Sequence, residues 1–176
     1  EPDFDIPDYI KEAAVNAINE NYHKYSPVDG YLDLKKAICK KFKRDNNLDY
    51  NTDQIVVSTG AKQSIANVCM SLINKGDEVV IPTPYWVSYS AMVSLADGIP
   101  VFVHPDENAN YKVTAAQLES AITDKTKMVM LNSPNNPSGS VFTKEEYLEF
   151  SKVLMKYPKI IVVSDEIYEH INYGVE

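Results

Sequence analysis

The chain has few of the residues that mark disulfide frameworks, zinc sites or membrane spans. It contains two cysteines, Cys39 and Cys69, and three scattered histidines, so neither a disulfide scaffold nor a Cys/His metal cluster is expected. Both cysteines fall within helical patterns and are expected to be reduced thiols. The longest apolar runs, such as residues 160–163, have the length of a strand and are too short to cross a membrane. The sequence therefore predicts an ordinary globular domain without a metal.

Positive charge and nucleotide-binding motifs are also scarce. The formal net charge is −8, and a field of that sign opposes nucleic acid and anionic lipid as partners. Neither a G-x-G-x-x-G fingerprint nor a P-loop is present, which argues against dinucleotide and P-loop folds. The first residues, 1–5, are acidic and do not resemble a signal peptide, so a cytoplasmic location is expected.

Short apolar segments alternate with amphipathic segments along the chain. Strands are predicted at 53–58, 78–81, 100–103, 128–131 and 160–163, and helices at 32–44, 61–74, 89–96, 115–121 and 144–157. Thr143 and Glu146 form the pattern of a capping box before the last helix. This alternation predicts an α/β fold with a mostly parallel sheet and helices on both faces. In such sheets, ligands bind beyond the carboxyl ends of the strands.

Polar segments follow the predicted strands at that end. Residues 58–64 (STGAKQS) lead into a helix, where free N–H groups suit a phosphate, although any tight turn there needs a glycine. Residues 132–139 (NSPNNPSG) hold more turn-forming residues than a simple turn requires. Asp165 leaves the last strand and needs either a positive partner or a helix to cap. Trp86, in segment 82–89, fits a core position or a stacking surface. Together the segments describe a planar ring ligand with a phosphate, a ring cation and a phenolic oxygen.

These segments, in this order, resemble fold-type-I pyridoxal-phosphate (PLP) enzymes, specifically the aspartate aminotransferase family. The resemblance extends to residues 1–7 (EPDFDIP) and 24–38 (KYSPVDGYLDLKKAI), and so covers essentially the whole chain. It implies the three-layer αβα large domain of PLP-dependent transferases, in incomplete form. Residues 1–22 would belong to the small domain or an interface arm, and residues 23–176 to the N-terminal part of the PLP-binding large domain.

The resemblance assigns the phosphate and one face of the PLP ring to named residues. The backbone N–H groups of Ala61 and Lys62 would hold the phosphate, and Gly60 would permit close approach. Trp86 is similar to the aromatic residue that stacks on the pyridine ring and contacts substrate.

The resemblance also assigns the polar contacts of the ring. Asp165 is similar to the carboxylate that pairs with the ring nitrogen and keeps it protonated, which makes the ring an electron sink. Asn136 and Tyr168 would bind the phenolic oxygen, and Asn136 would also lie near the substrate carboxylate. Tyr25 resembles the tyrosine that reaches the cofactor phosphate of a neighbouring subunit, which implies a homodimer. Family members hold the X-Pro bonds of the loop at 132–139 in cis.

One family feature is expected outside the chain. The lysine that forms the Schiff base would follow Glu176, together with the arginines that bind the phosphate and the substrate carboxylate. Arg44 is the only arginine in the sequence and lies in an early helical pattern. We therefore expect the chain to be part of a longer protein and to be inactive in transamination by itself.

The implied reaction is transfer of an amino group between an L-amino acid, aspartate in the leading interpretation, and a 2-oxo acid. Two alternatives remain open at this point. One is a carbon–sulfur lyase or decarboxylating relative of the same fold, which substrate contacts outside the chain would distinguish. The other is a non-catalytic regulatory domain that binds PLP or an effector, which an upstream helix-turn-helix would indicate.

Overall fold

The computed structural model describes residues 4–174, which form two compact units divided between Ser58 and Thr59. This division rests on compactness and does not test the predicted domain boundary between residues 22 and 23, which stays a prediction. Within residues 4–174, no helix is both long and apolar enough to span a membrane.

The first unit contains two α-helices and one turn of 3-10 helix. Helix α1 spans Asp8–Asn19, α2 spans Leu32–Asn46, and the 3-10 helix spans Thr52–Gln54. The predicted helix at 32–44 is confirmed as α2, whereas α1 was not predicted. Lys35 of α2 is buried and forms an ion pair with Asp29. The hydrogen bond from Lys35 lowers the pKa of that carboxyl group.

The predicted strand at residues 53–58 is wrong. Its first residues are part of the 3-10 helix, where the Gln54 side chain accepts a hydrogen bond from the Asn51 N–H at 2.9 Å. Ile55 has extended dihedral angles, and the Val57 N–H bonds to the Asp29 carbonyl oxygen at 3.1 Å. The segment is extended, but it is not among the assigned strands of residues 4–174, since a strand requires a continuous ladder with a neighbour.

The second unit is built on a sheet of four parallel strands. In chain order the strands are β1 (Glu78–Pro82), β2 (Ile99–Val103), β3 (Thr126–Asn132) and β4 (Ile161–Asp165). Their order across the sheet is β2-β1-β3-β4, and each neighbouring pair is parallel. The helices are α3 (Ala61–Leu72), α4 (Ser88–Leu95), α5 (Ala115–Ser120) and α6 (Lys144–Leu154). The predicted strands and helices of this unit are confirmed, as is the capping box between Thr143 and Glu146.

Both faces of the sheet are covered, because side chains alternate along each strand. Val79 and Ile81 of β1 lie in the core beneath α3 and α4, together with Cys69, which is fully buried as a free thiol. Val80 points the other way and packs with Phe150 of α6. The strands therefore read as nearly continuous apolar runs, as expected for a parallel sheet buried on both sides. The predicted three-layer arrangement is confirmed for this unit.

Candidate cofactor site

A cavity of about 320 Å³ lies at the carboxyl ends of β3 and β4, beside the start of α3. Its lining consists of Gly60, Ala61, Lys62, Trp86, Tyr89, Asn132, Asn136, Asp165, Ile167 and Tyr168. Every predicted cofactor residue of the second unit is in this set. Tyr25 belongs to the first unit, where it is exposed. The structure thus brings the predicted residues of one unit together, while the role of each remains a prediction.

The backbone at the start of α3 requires glycine. Gly60 precedes the helix with φ = 84° and ψ = 159°, a conformation that side-chain-bearing residues rarely adopt. A Cβ atom at this position would have no neighbour within 4 Å. Glycine is therefore required by the dihedral angles and not by lack of space. The Gly60 carbonyl accepts from the Gln63 N–H at 3.1 Å. Among residues 4–174, no hydrogen-bond acceptor is found for the N–H groups of Ala61 and Lys62, which stand at the positive end of the helix dipole.

Trp86 forms an aromatic side of the cavity and is held by two neighbours. The ring of Tyr89 forms a T-shaped pair with it, with centroids 5.5 Å apart and an interplanar angle of 88°. The Lys62 Nζ atom lies 5.1 Å from the Trp86 ring centroid, within the range of a cation–π contact. The indole therefore has a defined position beside the start of α3.

Asp165, the last residue of β4, accepts hydrogen bonds at both carboxylate oxygens and at its backbone carbonyl oxygen. The Tyr89 hydroxyl donates to Oδ2 at 2.5 Å, and the Ile167 N–H donates to Oδ1 at 3.2 Å. The Asp165 carbonyl oxygen accepts from Asn132 Nδ2 at 2.9 Å. Burial, followed by the hydrogen bond to Asp165, raises the pKa of Tyr89, so its hydroxyl remains a donor at neutral pH.

The loop after β3 presents an amide beside a phenol. Asn132 is buried, and its Oδ1 accepts from the Asn136 N–H at 2.8 Å. Asn136 Nδ2 in turn lies 3.3 Å from the Tyr168 hydroxyl oxygen and donates to it. The Ser133-Pro134 and Asn136-Pro137 peptide bonds are cis, as the family resemblance implied, and Thr83-Pro84 is cis as well.

The chemistry of this donor set fits a phosphorylated pyridine. It combines a carboxylate for a ring cation, an amide and a phenol for an oxygen substituent, an indole for a ring face, and free N–H groups for a phosphate. It does not resemble a metal site: across the described part of the chain, His, Cys, Asp and Glu form no group of three or more that could hold an ion.

Sequence reasoning missed two residues that organise the site, Tyr89 and Asn132. Tyr89 is three residues after Trp86, a spacing that brings side chains together on a helical turn, and this was the available signal. Asn132 opens the predicted polar loop, but its hydrogen bond to the Asp165 carbonyl oxygen, 33 residues away, depends on the fold.

Comparison with known proteins agrees with this geometry. The profile of the family "Aminotransferase class I and II" matches residues 1–176. A probable aspartate/prephenate aminotransferase of Rickettsia felis is 54% identical over 173 residues, which are 98% of this chain and 42% of that protein. The crystal structure of the aspartate aminotransferase of Rhizobium meliloti superposes with a TM-score of 0.96 at 46% identity, covering 99% of this chain and 44% of the other.

The aspartate aminotransferase of Thermus thermophilus, determined with maleate, is a further structural neighbour. Its TM-score is 0.96 at 39% identity, with 100% of this chain and 46% of that one covered. The chain belongs to the class I and II aminotransferase family. It spans less than half the length of the relatives that it matches.

Proposed function

We propose that the whole protein is a PLP-dependent aminotransferase that moves an amino group between an L-amino acid, aspartate or a close analogue, and a 2-oxo acid. The observation that carries the proposal is the convergence of Gly60, Trp86, Asn136, Asp165 and Tyr168 on one cavity. The names of the relatives support the substrate class, since they are described as aspartate and aspartate/prephenate aminotransferases. A dicarboxylate, maleate, accompanies one related structure.

In this proposal, different residues of the cavity bind different groups of PLP. The N–H groups of Ala61 and Lys62 bind the phosphate at the positive end of α3. The Trp86 indole covers one ring face, and the Asp165 carboxylate holds a proton on the ring nitrogen. When bound, PLP supplies an electron sink for negative charge that develops at the substrate α-carbon.

The other side of the ring belongs to the loop after β3. Asn136 and Tyr168 already share a hydrogen bond, and both donate to the phenolic oxygen in this proposal. Asn136 also contacts the substrate carboxylate, and Trp86 contacts the substrate. The hydrogen bond from the Asn136 N–H to Asn132 supports this placement by tying the loop to the end of β3.

The remaining parts of the proposal concern the whole protein. We place the Schiff-base lysine and the arginine that binds the substrate carboxylate beyond Glu176, so that residues 1–176 alone do not catalyse transamination. The support is the share of the relatives that the chain covers, 42% of the Rickettsia felis protein. We also propose a cytoplasmic homodimer in which Tyr25 reaches the phosphate bound by the partner subunit.

The test uses the full-length protein reconstituted with PLP. Transamination of aspartate with 2-oxoglutarate is measured in the wild-type protein, in Asp165→Ala and in the control Asp124→Ala. Asp124 is exposed and lies just before β3, at the opposite end of the strands from the cavity. We expect Asp165→Ala to lose at least about 100-fold in turnover while still binding PLP, because an electrostatic contact to developing charge is removed. The control is expected to retain wild-type turnover.

The possible results separate the candidate functions. Near-normal turnover in Asp165→Ala contradicts the role of that carboxylate. A wild-type protein that binds PLP and releases a thiol from a sulfur amino acid, without transamination, supports a carbon–sulfur lyase instead. Binding of PLP with neither reaction supports a regulatory domain, and absence of PLP binding contradicts the cofactor assignment.

A further inference from the structure

Tyr89 is a buried side chain that bridges two parts of the cavity. It lies in the first turn of α4, and its ring is 2% exposed within the core beneath α3 and α4. Its hydroxyl reaches across 76 positions of sequence to Asp165 Oδ2, at 2.5 Å. A core tyrosine requires a partner for its hydroxyl, and here that partner is the carboxylate at the end of β4.

The chemistry of this pair sets the direction of the hydrogen bond. An ionised carboxylate only accepts hydrogen bonds, so the phenol must donate. The second carboxylate oxygen accepts from the Ile167 N–H, at the longer distance of 3.2 Å. The Asp165 carboxylate is therefore held at both of its oxygens, and the shorter, charge-assisted hydrogen bond comes from Tyr89.

The same ring also supports Trp86. The Tyr89 ring and the indole are nearly perpendicular at a centroid distance of 5.5 Å, a T-shaped geometry that aromatic pairs prefer. One side chain of α4 thus contacts both the aromatic side of the cavity and its anionic group. Displacement of Tyr89 would affect the two together.

We propose that Tyr89 is the positioning residue of the cofactor site, orienting the Asp165 carboxylate toward the ring nitrogen of bound PLP and supporting the Trp86 indole against the ring face. The inference rests on the proposed function and deepens it. Tyr89 acts through Asp165 and Trp86, and has no bonding role toward the reacting atoms. Removal of its hydroxyl alone separates its effect on Asp165 from its packing against Trp86.

The experiment compares Tyr89→Phe with the wild type in the full-length protein. Phenylalanine retains the ring packing and deletes only the donor to Asp165. We expect the Kd for PLP to rise roughly 10-fold, by analogy with the loss of affinity when a residue that orients a metal ligand is removed. In the loaded variant, the ¹⁵N shift of labelled PLP should show a smaller protonated fraction at the ring nitrogen at neutral pH. The control Tyr157→Phe deletes a hydroxyl just before β4, at the opposite end of the strands, and is expected to leave both values unchanged.

A double-mutant cycle distinguishes positioning from a general structural role. If Tyr89 acts through the carboxylate, Tyr89→Phe should have no further effect on PLP affinity in an Asp165→Asn background. Additive losses in the double variant overturn the inference, as does an unchanged Kd and ¹⁵N shift in Tyr89→Phe. A Tyr89→Phe protein that is unfolded without PLP also overturns it, because the role would then be structural. If the wild type itself does not bind PLP, the proposed function is the part that has failed.

Discussion

Replacement of Gly60 by alanine should damage the phosphate end of the cavity without creating any steric overlap. Gly60 has φ = 84° and ψ = 159°, yet a Cβ atom there would have no neighbour within 4 Å. The backbone conformation is therefore the whole cost, which is about 1–3 kcal/mol for a residue with a side chain. Two outcomes are possible in the mutant. Either the turn keeps its conformation and the protein is less stable, or the turn relaxes and the N–H groups of Ala61 and Lys62 move.

Each outcome changes a different measurable quantity, the free energy of unfolding or the Kd for PLP. If the turn is retained, the free energy of unfolding falls by about 1–3 kcal/mol. If the turn relaxes, the same energy appears as lost phosphate affinity, and the Kd for PLP rises by up to roughly 100-fold. We expect relaxation to dominate, because the segment before α3 is exposed and little packing opposes its movement.

The assay is titration of the full-length apoprotein with PLP, paired with thermal unfolding in the absence of PLP. Gly76→Ala is the matched control, since Gly76 has φ = 87° and the space around its Cβ position is also empty. Gly76 lies between α3 and β1, at the opposite end of the strands from the cavity. It should lose stability with no change in PLP affinity. Equal PLP affinity in Gly60→Ala and the wild type would refute the assignment of this turn to the phosphate.

Two further predictions concern stability. Burial opposes ionisation of Glu146, but hydrogen bonds from Lys112 and from the start of α6 outweigh it and lower its pKa. Its stabilisation is therefore present above the unfolded-state value of about 4.3 and is lost as the pH falls through the lower folded-state pKa. Glu146→Gln should lower the free energy of unfolding, measured in urea, by at most about 1 kcal/mol at neutral pH, because the Lys112–Glu146 pair is partly exposed. In strong acid it should have no effect. The exposed Glu149→Gln is the control, and a loss of stability in Glu146→Gln that does not change with pH would contradict the argument. Phe150→Ala should cost about 3–5 kcal/mol by the same method, because the ring is 1% exposed between the sheet and α6. Leu148→Ala, on the exposed side of that helix, should change stability by less than about 0.5 kcal/mol, and equal losses would contradict the assigned core.

The elements of the second unit could be predicted because their local signals agree with one another. Each strand is a short apolar run bounded by polar loops, and the Thr143–Glu146 capping box marks a helix start that the structure confirms. The polar segments after the strands could be assigned to one end of the sheet because parallel strands all point the same way. Most of the cavity lining follows from this rule.

The two failed predictions in the first unit have different causes. Residues 53–58 have the composition of a buried strand, but strand formation requires a partner that composition does not specify. Helix α1 has its apolar residues exposed within the described structure, among them Tyr9, Val15 and Ile18. Its apolar residues nevertheless recur at helical spacing, as at Ile10, Ala14 and Ile18, so the signal for this helix was present in the sequence.

By itself the sequence determined the alternation of elements, the glycine before α3 and the residue types at the ends of the strands, because these depend on neighbours a few positions apart. Only the tertiary structure decided the strand order β2-β1-β3-β4, which places Asn132 beside Asp165. It alone joined the Tyr89 hydroxyl to a carboxylate 76 residues further along the chain. Such contacts arise when packed layers bring distant segments together, and no local pattern carries the information that two particular side chains will meet.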